Sequence, residues 1–345
     1  MIAEQLLAPV PGGTGRYTAE LLPALTATAP PGWTVSAVTA RHAGGLPGAR
    51  ELPLPPRALV AAWQLGLPLW PGGDAVHAPT PLAPPRVPRD RTLTVTVHDT
   101  VPWTHPDTLT PRGVRWHRAM IARAAERATG LVVPTRAVAD DLATRVAVRA
   151  PVTVAGHGVA EVFTRSDLPD LPGLPPRFVL AVGTVEPRKG VDVLIRAMER
   201  VGVPLVLAGQ PGWGGLDPVA LAGDRVDVRV LGRLGDRELA AVLRRAAVLA
   251  APSLAEGFGL PVLEAMAAGV PVVHSDAPAL VEVAGGAGLR VPRGDAAALA
   301  DALNEVLSSP QRAADLVDRG RAVATAFSWR RAAEAVWAVH ERATS

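Results

Sequence analysis

Short apolar runs alternate along the chain with longer stretches whose apolar positions have helical spacing. In the second half a turn and a helical pattern, such as Val191–Val201 or Asp236–Ala247, follow these runs. Short buried strands that alternate with helices indicate a parallel sheet covered by helices on both faces. The predicted strands of this half are Phe178–Val182, Leu205–Ala208, Val228–Leu231, Val248–Ala251 and Val270–His274.

The first half shows the same alternation less clearly. Its first predicted strand, Ile2–Leu7, is short, and we expect the natural strand to begin a few residues earlier. A loop over residues 9–15 follows it. The other predicted elements are strands at Thr34–Thr39, Val76–Ala78, Leu93–Val97, Leu131–Val133 and Val152–Val154, and helices at Arg16–Ala27, Pro111–Ala128 and Arg136–Val146.

A proline-rich stretch divides the two halves. Residues 167–176 contain four prolines, which is typical of a stiff linker. We therefore predict an α/β protein with two doubly wound domains, residues 1–163 and 164–328. Residues 329–345 contribute one amphipathic helix.

Composition narrows the class of protein. The 345 residues are 48% apolar, which is ample for two cores, and no apolar run reaches the roughly 20 residues of a membrane span. No signal peptide is evident at the start of the sequence. The chain has no cysteine, which excludes disulfides and zinc–thiolate sites. We expect a cytoplasmic protein.

The basic residues are almost all arginine. Lys189 is the only lysine among the 35 basic residues, so a local requirement for lysine is expected there. The arginines are dispersed among acidic residues and the net charge is only +3, which argues against a nucleic-acid partner.

The strongest chemical signal is a glycine-containing turn that leads into a helix. Glycines beside Phe258 leave backbone N–H groups open, and a helix that starts near Leu260 adds its positive dipole end, a combination suited to a diphosphate. Glu256 precedes this helix, where it could accept hydrogen bonds from sugar hydroxyls. Glu264, one turn inside, could hold a ribose diol. Alternatively, both glutamates are ordinary acids at a helix start.

Two basic residues follow the first strand of the second half. Arg188 and Lys189 lie in the segment that runs from Gly183 to Gly190. Arginine offers a planar fork to phosphate oxygens and lysine a compact charge. The alternative is a solvated basic turn.

Polar residues also follow strands of the first half, where open α/β sheets place ligand contacts. His98 and Asp99 come after one strand, and Asp99 either orients the histidine or caps a turn. Arg136 follows the next strand. Near the start, Gly13 and Gly15 precede Arg16, which either reaches a ligand or is solvated.

Together these segments resemble the large retaining glycosyltransferase family 4 (group 1), in particular its bacterial mannosyltransferase-like members. The two glutamates, spaced by seven residues, resemble the family's donor signature, and Lys189 falls on the family's lysine position. The resemblance implies the GT-B fold, with two Rossmann-like domains that face each other across a cleft and a C-terminal helix that packs back on the N-terminal domain.

The resemblance also implies roles for individual residues. Catalytic roles fall on His98, Arg188, Lys189 and Glu256; donor contacts on Gly13, Gly15, Gly183, Leu234, Phe258, Gly259, Leu260 and Glu264; and acceptor-side contacts on Arg16, Asp99 and Arg136.

The implied reaction moves a hexose from a nucleotide diphosphate sugar, with GDP-mannose favoured, to an acceptor hydroxyl with retention. The acceptor is a glycan, a lipid-linked sugar or a small molecule. The sequence contains no Asp-x-Asp triplet, so we expect no metal and no other cofactor. The alternatives are a catalytically silent nucleotide-sugar-binding partner and a GT-B epimerase or phosphorylase. The arginines of the helix near residues 111–128 form either a solvated face or a weak contact with the inner face of the membrane.

Overall fold

A computed structural model of the chain describes residues 1–9, 11–212 and 214–344. The chain divides into two compact units. The first comprises Met1–Pro106, Thr110–Gly158 and Ser328–Ser345, and the second comprises Asp107–Leu109 and Val159–Phe327.

The first unit contains parallel strands flanked by helices. Strands β3 to β6 form a four-stranded sheet in chain order, and β1 pairs with β2. Along the chain the elements are α1 (Gly12–Ala27), β1 (Val38–Thr39), β2 (Arg50–Glu51), α2 (Pro56–Gln64), β3 (Ala75–Ala78), β4 (Thr92–Thr96), α3 (Val101–Thr104), α4 (Pro111–Arg127), β5 (Gly130–Val133), α5 (Arg136–Arg145) and β6 (Val152–Val154).

The predicted strand Ile2–Leu7 is wrong beyond its first residues. Ile2 pairs with Val38 and donates its backbone N–H to the carbonyl of His77 at 2.9 Å, so it joins the two sheets. The chain then enters a 3₁₀ turn at Glu4–Leu7. The Glu4 carboxylate explains the turn, because it accepts hydrogen bonds from the Ala40 N–H (2.8 Å) and bonds to His42 (2.9 Å), which ties the chain to the segment after β1.

The predicted glycine-rich loop is partly helical. Helix α1 begins at Gly12 rather than Arg16, because the Gly15 N–H donates to the carbonyl of Pro11 (2.8 Å) and closes the first turn. Gly15 packs directly on Pro11, since a Cβ there would lie 2.2 Å from the proline Cβ. Val10, which belongs to the same predicted loop, lies outside the described residues.

The second unit has one six-stranded parallel sheet in the order β12-β11-β10-β7-β8-β9. The order reverses between β7 and β10, which is the doubly wound arrangement. The elements are β7 (Val179–Val182), α6 (Val191–Met198), β8 (Leu205–Ala208), α7 (Pro218–Ala222), β9 (Val228–Gly232), α8 (Asp236–Arg245), β10 (Val248–Ala251), α9 (Leu260–Ala268), β11 (Val272–Ser275), α10 (Pro278–Ala284), β12 (Leu289–Val291), α11 (Ala296–Ser308) and α12 (Pro310–Ala324).

The boundary between the units lies after Gly158 rather than after residue 163. A short turn at Glu161–Phe163 packs against α8 and α9, and Phe163 is fully buried there. The proline-rich stretch belongs to the second unit as well. Arginine side chains hold its backbone carbonyls: Arg237 bonds Asp167 (2.6 Å), Arg245 bonds Leu171 (2.8 Å) and Arg229 bonds Gly173 (2.9 Å).

The last helix, α13 (Trp329–Thr344), belongs to the first unit and packs against α1 and β4. His340 on this helix hydrogen-bonds Thr92 (2.6 Å) and Thr94 (3.1 Å) of β4. Burial lowers the pKa of His340 to about 4, so the ring stays neutral inside the core.

Gly158 generates a test of this packing. A Cβ at Gly158 would lie 2.1 Å from the backbone nitrogen of Trp329, whose ring stacks on His157 at 5.5 Å. Gly158→Ala should therefore lower the free energy of unfolding by about 1–3 kcal/mol, the usual cost of overpacking. Denaturant titration would measure it. Gly44→Ala is the control, because a Cβ there meets nothing within 4 Å, and its effect should stay within about 0.5 kcal/mol. Equal losses in both variants would contradict this account.

Candidate active site

A pocket lies in the second unit where the strand order reverses. The loops after β7 and β10 leave neighbouring strands there, the place where doubly wound sheets bind ligands. The polar lining of the pocket comes from Gly183, Thr184, Lys189, Ser253, Glu256 and Gly259.

Close backbone approach brings the two loops together. Gly190 has a φ of +67°, and a Cβ at this position would lie 2.4 Å from the carbonyl oxygen of Pro252 in the other loop. A side chain would force the loops apart. Glycine at this position therefore lets the residue before it, Lys189, reach the loop after β10.

Lys189 and Glu256 form an ion pair at the pocket. The Lys189 Nζ donates to Glu256 Oε1 at 2.6 Å, and the two side chains are only 19% and 13% exposed. The hydroxyl of Ser253 donates to the same carboxylate oxygen at 2.7 Å. Ser275, at the end of β11, in turn donates to the carbonyl of Ser253 (2.5 Å), so the carboxylate is held from several sides.

Two opposing influences set the charge state of Glu256. Burial by itself raises the pKa of its carboxyl, but the charges of Lys189 and Arg188 and the hydrogen bonds from Lys189 and Ser253 outweigh burial. The net effect holds the pKa below its usual value. Glu256 is therefore an ionised acceptor of hydrogen bonds at neutral pH.

Arg188 directs its guanidinium toward the protein. Its Nη2 donates to Glu186 Oε1 at 2.5 Å, and its Nη1 donates to the carbonyl of Ala255 at 2.8 Å. The distance from Nη1 to Glu256 Oε2 is 3.6 Å. These contacts brace the loop that carries Glu256, and the phosphate contact of Arg188 stays a prediction.

The start of helix α9 forms another side of the pocket. Gly259 precedes the helix with a φ of +95°, and a Cβ there would lie 2.4 Å from Cδ2 of Leu280. The positive end of the α9 dipole thus lies at the pocket wall, where it favours an anion. Leu260 is the first residue of the helix, as predicted.

Other residues predicted to contact the donor lie apart from the pocket wall. Phe258 is buried and packs edge-on against Phe327, with ring centroids 5.7 Å apart. Leu234 lies half-buried in the turn between β9 and α8. Glu264 lies inside α9 with only 1% of its surface exposed.

His98 lies at the carboxyl end of β4 in the first unit and is half-buried. Its Nε2–H donates to the carbonyl of Pro79 (2.8 Å), and its ring meets Tyr17 edge-on at 4.8 Å. Burial lowers the pKa of His98, against the opposing effects of the Pro79 hydrogen bond and of Asp99. The imidazole is therefore neutral at neutral pH. Asp99 caps a turn, since its carboxylate accepts from the Val101 N–H at 3.0 Å.

The remaining predicted residues of the first unit lie at helix starts. Gly13 is exposed in the first turn of α1, Gly15 is buried there, and Arg16 is half-buried one residue further on. Arg136 is the exposed first residue of α5, whose N-cap is Thr135.

Sequence reasoning missed several polar residues that organise the pocket: Thr184, Glu186, Ser253 and Ser275. Thr184 and Glu186 lie in the segment between Gly183 and Gly190, but nothing in the sequence around them distinguishes them from solvated residues. Ser253 lies three residues before Glu256, directly after a buried strand. Its position at the end of a strand is the feature of the sequence that could have indicated a site residue. Across the described parts of the chain, no three His, Asp or Glu side chains converge in a group that could hold a metal ion.

Comparison with known proteins places this pocket in a family context. Residues 176–309 match the family described as Glycosyl transferases group 1. The phosphatidyl-myo-inositol mannosyltransferase of Mycobacterium leprae is 35% identical over 238 residues, which cover 66% of this chain and 60% of that protein. The O-antigen chain mannosyltransferase B of Escherichia coli is 37% identical over 161 residues, which cover 44% of this chain and 42% of that protein. The chain thus spans about half the length of the curated relatives it matches.

The fold has close counterparts among solved structures. The sucrose-phosphate synthase of Thermosynechococcus elongatus superposes with a TM-score of 0.74 at 24% identity, over 96% of this chain and 93% of that one. This likeness bears on the fold alone. The chain thus has the GT-B fold, carries a Glycosyl transferases group 1 domain at residues 176–309, and is similar to mannosyltransferases of the glycosyltransferase family 4 type.

Proposed function

We propose that the protein transfers a hexose from a nucleotide diphosphate sugar to an acceptor hydroxyl, with retention at the anomeric carbon. The observation that carries this proposal is the Lys189–Glu256 pair, a cation and an ionised carboxylate side by side in the pocket beside the start of α9. A sugar diphosphate presents the matching groups, an anionic diphosphate joined to a ring of hydroxyls.

Lys189 supplies the charge that the leaving diphosphate needs. An ammonium group has three N–H donors, and one of them bonds Glu256, so the others are available to phosphate oxygens. As the bond to the anomeric carbon breaks, negative charge grows on the leaving oxygen. Lys189 and the start of α9 stabilise that charge.

Glu256 positions the transferring sugar. Because its carboxylate is ionised, it accepts hydrogen bonds from hydroxyls and cannot donate a proton. In the retaining route that we propose, the leaving phosphate itself takes the proton of the acceptor hydroxyl. Glu264 holds the ribose in this scheme, and Arg188 acts through the loop of Glu256.

The donor that we favour is GDP-mannose. The His98–Asp99 pair resembles that of mannosyltransferase-like relatives, and three of the similar curated proteins are mannosyltransferases by name. A neutral His98 whose Nε2–H is committed to Pro79 has only Nδ1 left, which accepts a hydrogen bond from a sugar hydroxyl. Arg16 and Arg136 remain predicted acceptor-side residues.

A catalytically silent nucleotide-sugar-binding partner is the second candidate, and an epimerase or phosphorylase of the same fold is the third. The organised ion pair favours an active transferase. Donor hydrolysis in the absence of acceptor would distinguish the first two, since a silent partner should show none.

The contacts of the arginines on helix α4 support a solvated face rather than a membrane contact. Arg123 donates to the carbonyls of Trp63 and Gln64, and Arg118 donates to Pro102 at 2.9 Å, so two of its arginines serve internal packing. In the described ranges of the chain no helix is long and apolar enough to cross a membrane. We propose a soluble acceptor, such as a glycan or a small molecule, over a lipid-linked one.

The first prediction tests donor binding. GDP-mannose should raise the unfolding temperature of the wild-type protein more than UDP- or dTDP-sugars, because ligands stabilise the state that binds them. Lys189→Ala should abolish most of this rise and lower kcat/KM about a hundredfold, roughly 2.7 kcal/mol of transition-state stabilisation. Arg200→Ala is the control, since Arg200 pairs with Asp301 on the surface of the same unit. Wild-type turnover in Lys189→Ala would contradict the scheme.

A second prediction separates the two glutamates. Glu256→Gln should mainly lower kcat, because sugar contacts matter most as the ring distorts. Glu264→Gln should mainly raise donor KM and weaken GDP binding about tenfold, or about 1.4 kcal/mol, while Glu256→Gln leaves GDP binding unchanged. Calorimetry with GDP gives the readout, with unfolding midpoints as the control because Glu264 is buried. The opposite pattern of nucleotide affinity would mean that the roles are reversed.

The third prediction concerns metals. The scheme assigns charge stabilisation to Lys189 and helix α9, so transfer should continue at its full rate in excess EDTA. Loss of activity with chelator and recovery with Mg²⁺ or Mn²⁺ would show that a divalent ion takes part.

A further inference from the structure

Four charged side chains form a compact cluster beside the pocket, and one of them has no part in the scheme above. Glu186, Arg188, Lys189 and Glu256 are all less than one-fifth exposed. Arg188 lies between the two carboxylates, at 2.5 Å from Glu186 and 3.6 Å from Glu256. Lys189 bonds Glu256 at 2.6 Å.

The distances show which cation pairs with which carboxylate. Each carboxylate has one close cation, Arg188 for Glu186 and Lys189 for Glu256. A buried carboxylate requires such a partner, because charge in a poorly solvated site is costly when unpaired. Without the charge of Glu186, both cations would face the single carboxylate of Glu256, and Arg188 already lies within 3.6 Å of it.

The backbone fixes Glu186 firmly enough for this task. Its carbonyl accepts the N–H of Lys189 (3.0 Å), and the preceding residue, Val185, exchanges backbone hydrogen bonds with Gln210 and Gly212, each of 3.0 Å. Gly212 also approaches closely, since a Cβ on it would lie 3.3 Å from the Glu186 Cβ. The carboxylate therefore projects from a segment that is held by β7 and the loop after β8.

We propose that Glu186 is a positioning residue that keeps Arg188 away from Glu256, so that Glu256 stays paired with Lys189 at the pocket. This inference rests on the proposed function for its effect on transfer. Its effect on the ion pair can be measured without any substrate. Glu186 acts through Arg188 and touches neither the donor nor the acceptor.

The only lysine of the chain provides a specific probe. Protein labelled with ¹³Cε-lysine should give one lysine signal, from Lys189, whose position depends on the carboxylate beside it. Glu186→Gln should displace this signal, because Arg188 moves onto Glu256 and competes with Lys189. Glu305→Gln is the control, since it removes an equivalent glutamate–arginine pair (2.8 Å to Arg312) on the surface of the same unit.

A second substitution distinguishes positioning from a simple structural role. In Glu186→Gln with Arg188→Gln, the competing cation is absent, so the Lys189 signal should return toward its wild-type position. Such non-additivity is expected of residues that act through one another. If Glu186→Gln folds poorly, Glu186→Asp keeps the charge with a shorter reach and should displace the signal in the same direction to a smaller extent.

Kinetics complete the test. Glu186→Gln should lower kcat about tenfold with donor KM changed less than about threefold, because Glu256 is displaced while Lys189 still meets the diphosphate. An unchanged Lys189 signal in Glu186→Gln, or a displaced signal that Arg188→Gln does not restore, would overturn the proposal. If the signals behave as expected and the wild-type protein binds neither GDP nor a nucleotide sugar, the proposed function is wrong and the positioning role of Glu186 stands.

Discussion

The ion pair between Lys189 and Glu256 is the contact on which the site depends. It joins the loops after β7 and β10, which are neighbours only because the sheet order reverses between these strands. Gly190 permits the approach, since any side chain there would meet the carbonyl of Pro252. The strand order of the sheet thus places a charged pair at the pocket wall.

Lysine suits this position better than arginine in a chain that otherwise uses arginine. Its compact ammonium bonds one carboxylate oxygen and keeps further donors for a ligand, whereas a planar guanidinium commits its donors in fixed directions. Arg188 next to it illustrates the contrast, because its Nη2 bonds Glu186 and its Nη1 bonds the carbonyl of Ala255. Neighbouring cations in the sequence therefore have different tasks, one facing the pocket and one bracing its loop.

A cluster of neutral aromatic rings forms part of the core of the first unit. Tyr17 packs against His98, His157 and Trp329, with ring centroids 4.8, 4.9 and 5.9 Å apart respectively. Burial lowers the pKa of both histidines, which keeps their rings uncharged. The C-terminal helix supplies Trp329 to this cluster and His340 to the threonines of β4, so the end of the chain completes the core of the first unit.

The sequence by itself predicted those helices and strands that depend on the pattern of neighbouring residues. The strands Leu205–Ala208 and Val248–Ala251 have the predicted bounds, because a strand buried by helices on both faces must be continuously apolar. The glycine-containing turn before Leu260 likewise predicted the start of a helix, and α9 begins at Leu260. The edge strands at Arg50–Glu51 and Leu289–Val291 were missed, since backbone pairing rather than an apolar run holds them.

Only the tertiary structure decided which charged residues meet. Lys189 and Glu256 were each predicted as site residues from their own segments, but their contact spans 67 positions of the chain and depends on the strand order. The same holds for Arg188, whose partners turn it from the pocket, and for Glu186, which no pattern distinguished from a solvated acid. A motif shows which residue types a loop contains. The direction of each side chain and the partner that it binds depend on burial and on the charged residues of the loops after neighbouring strands.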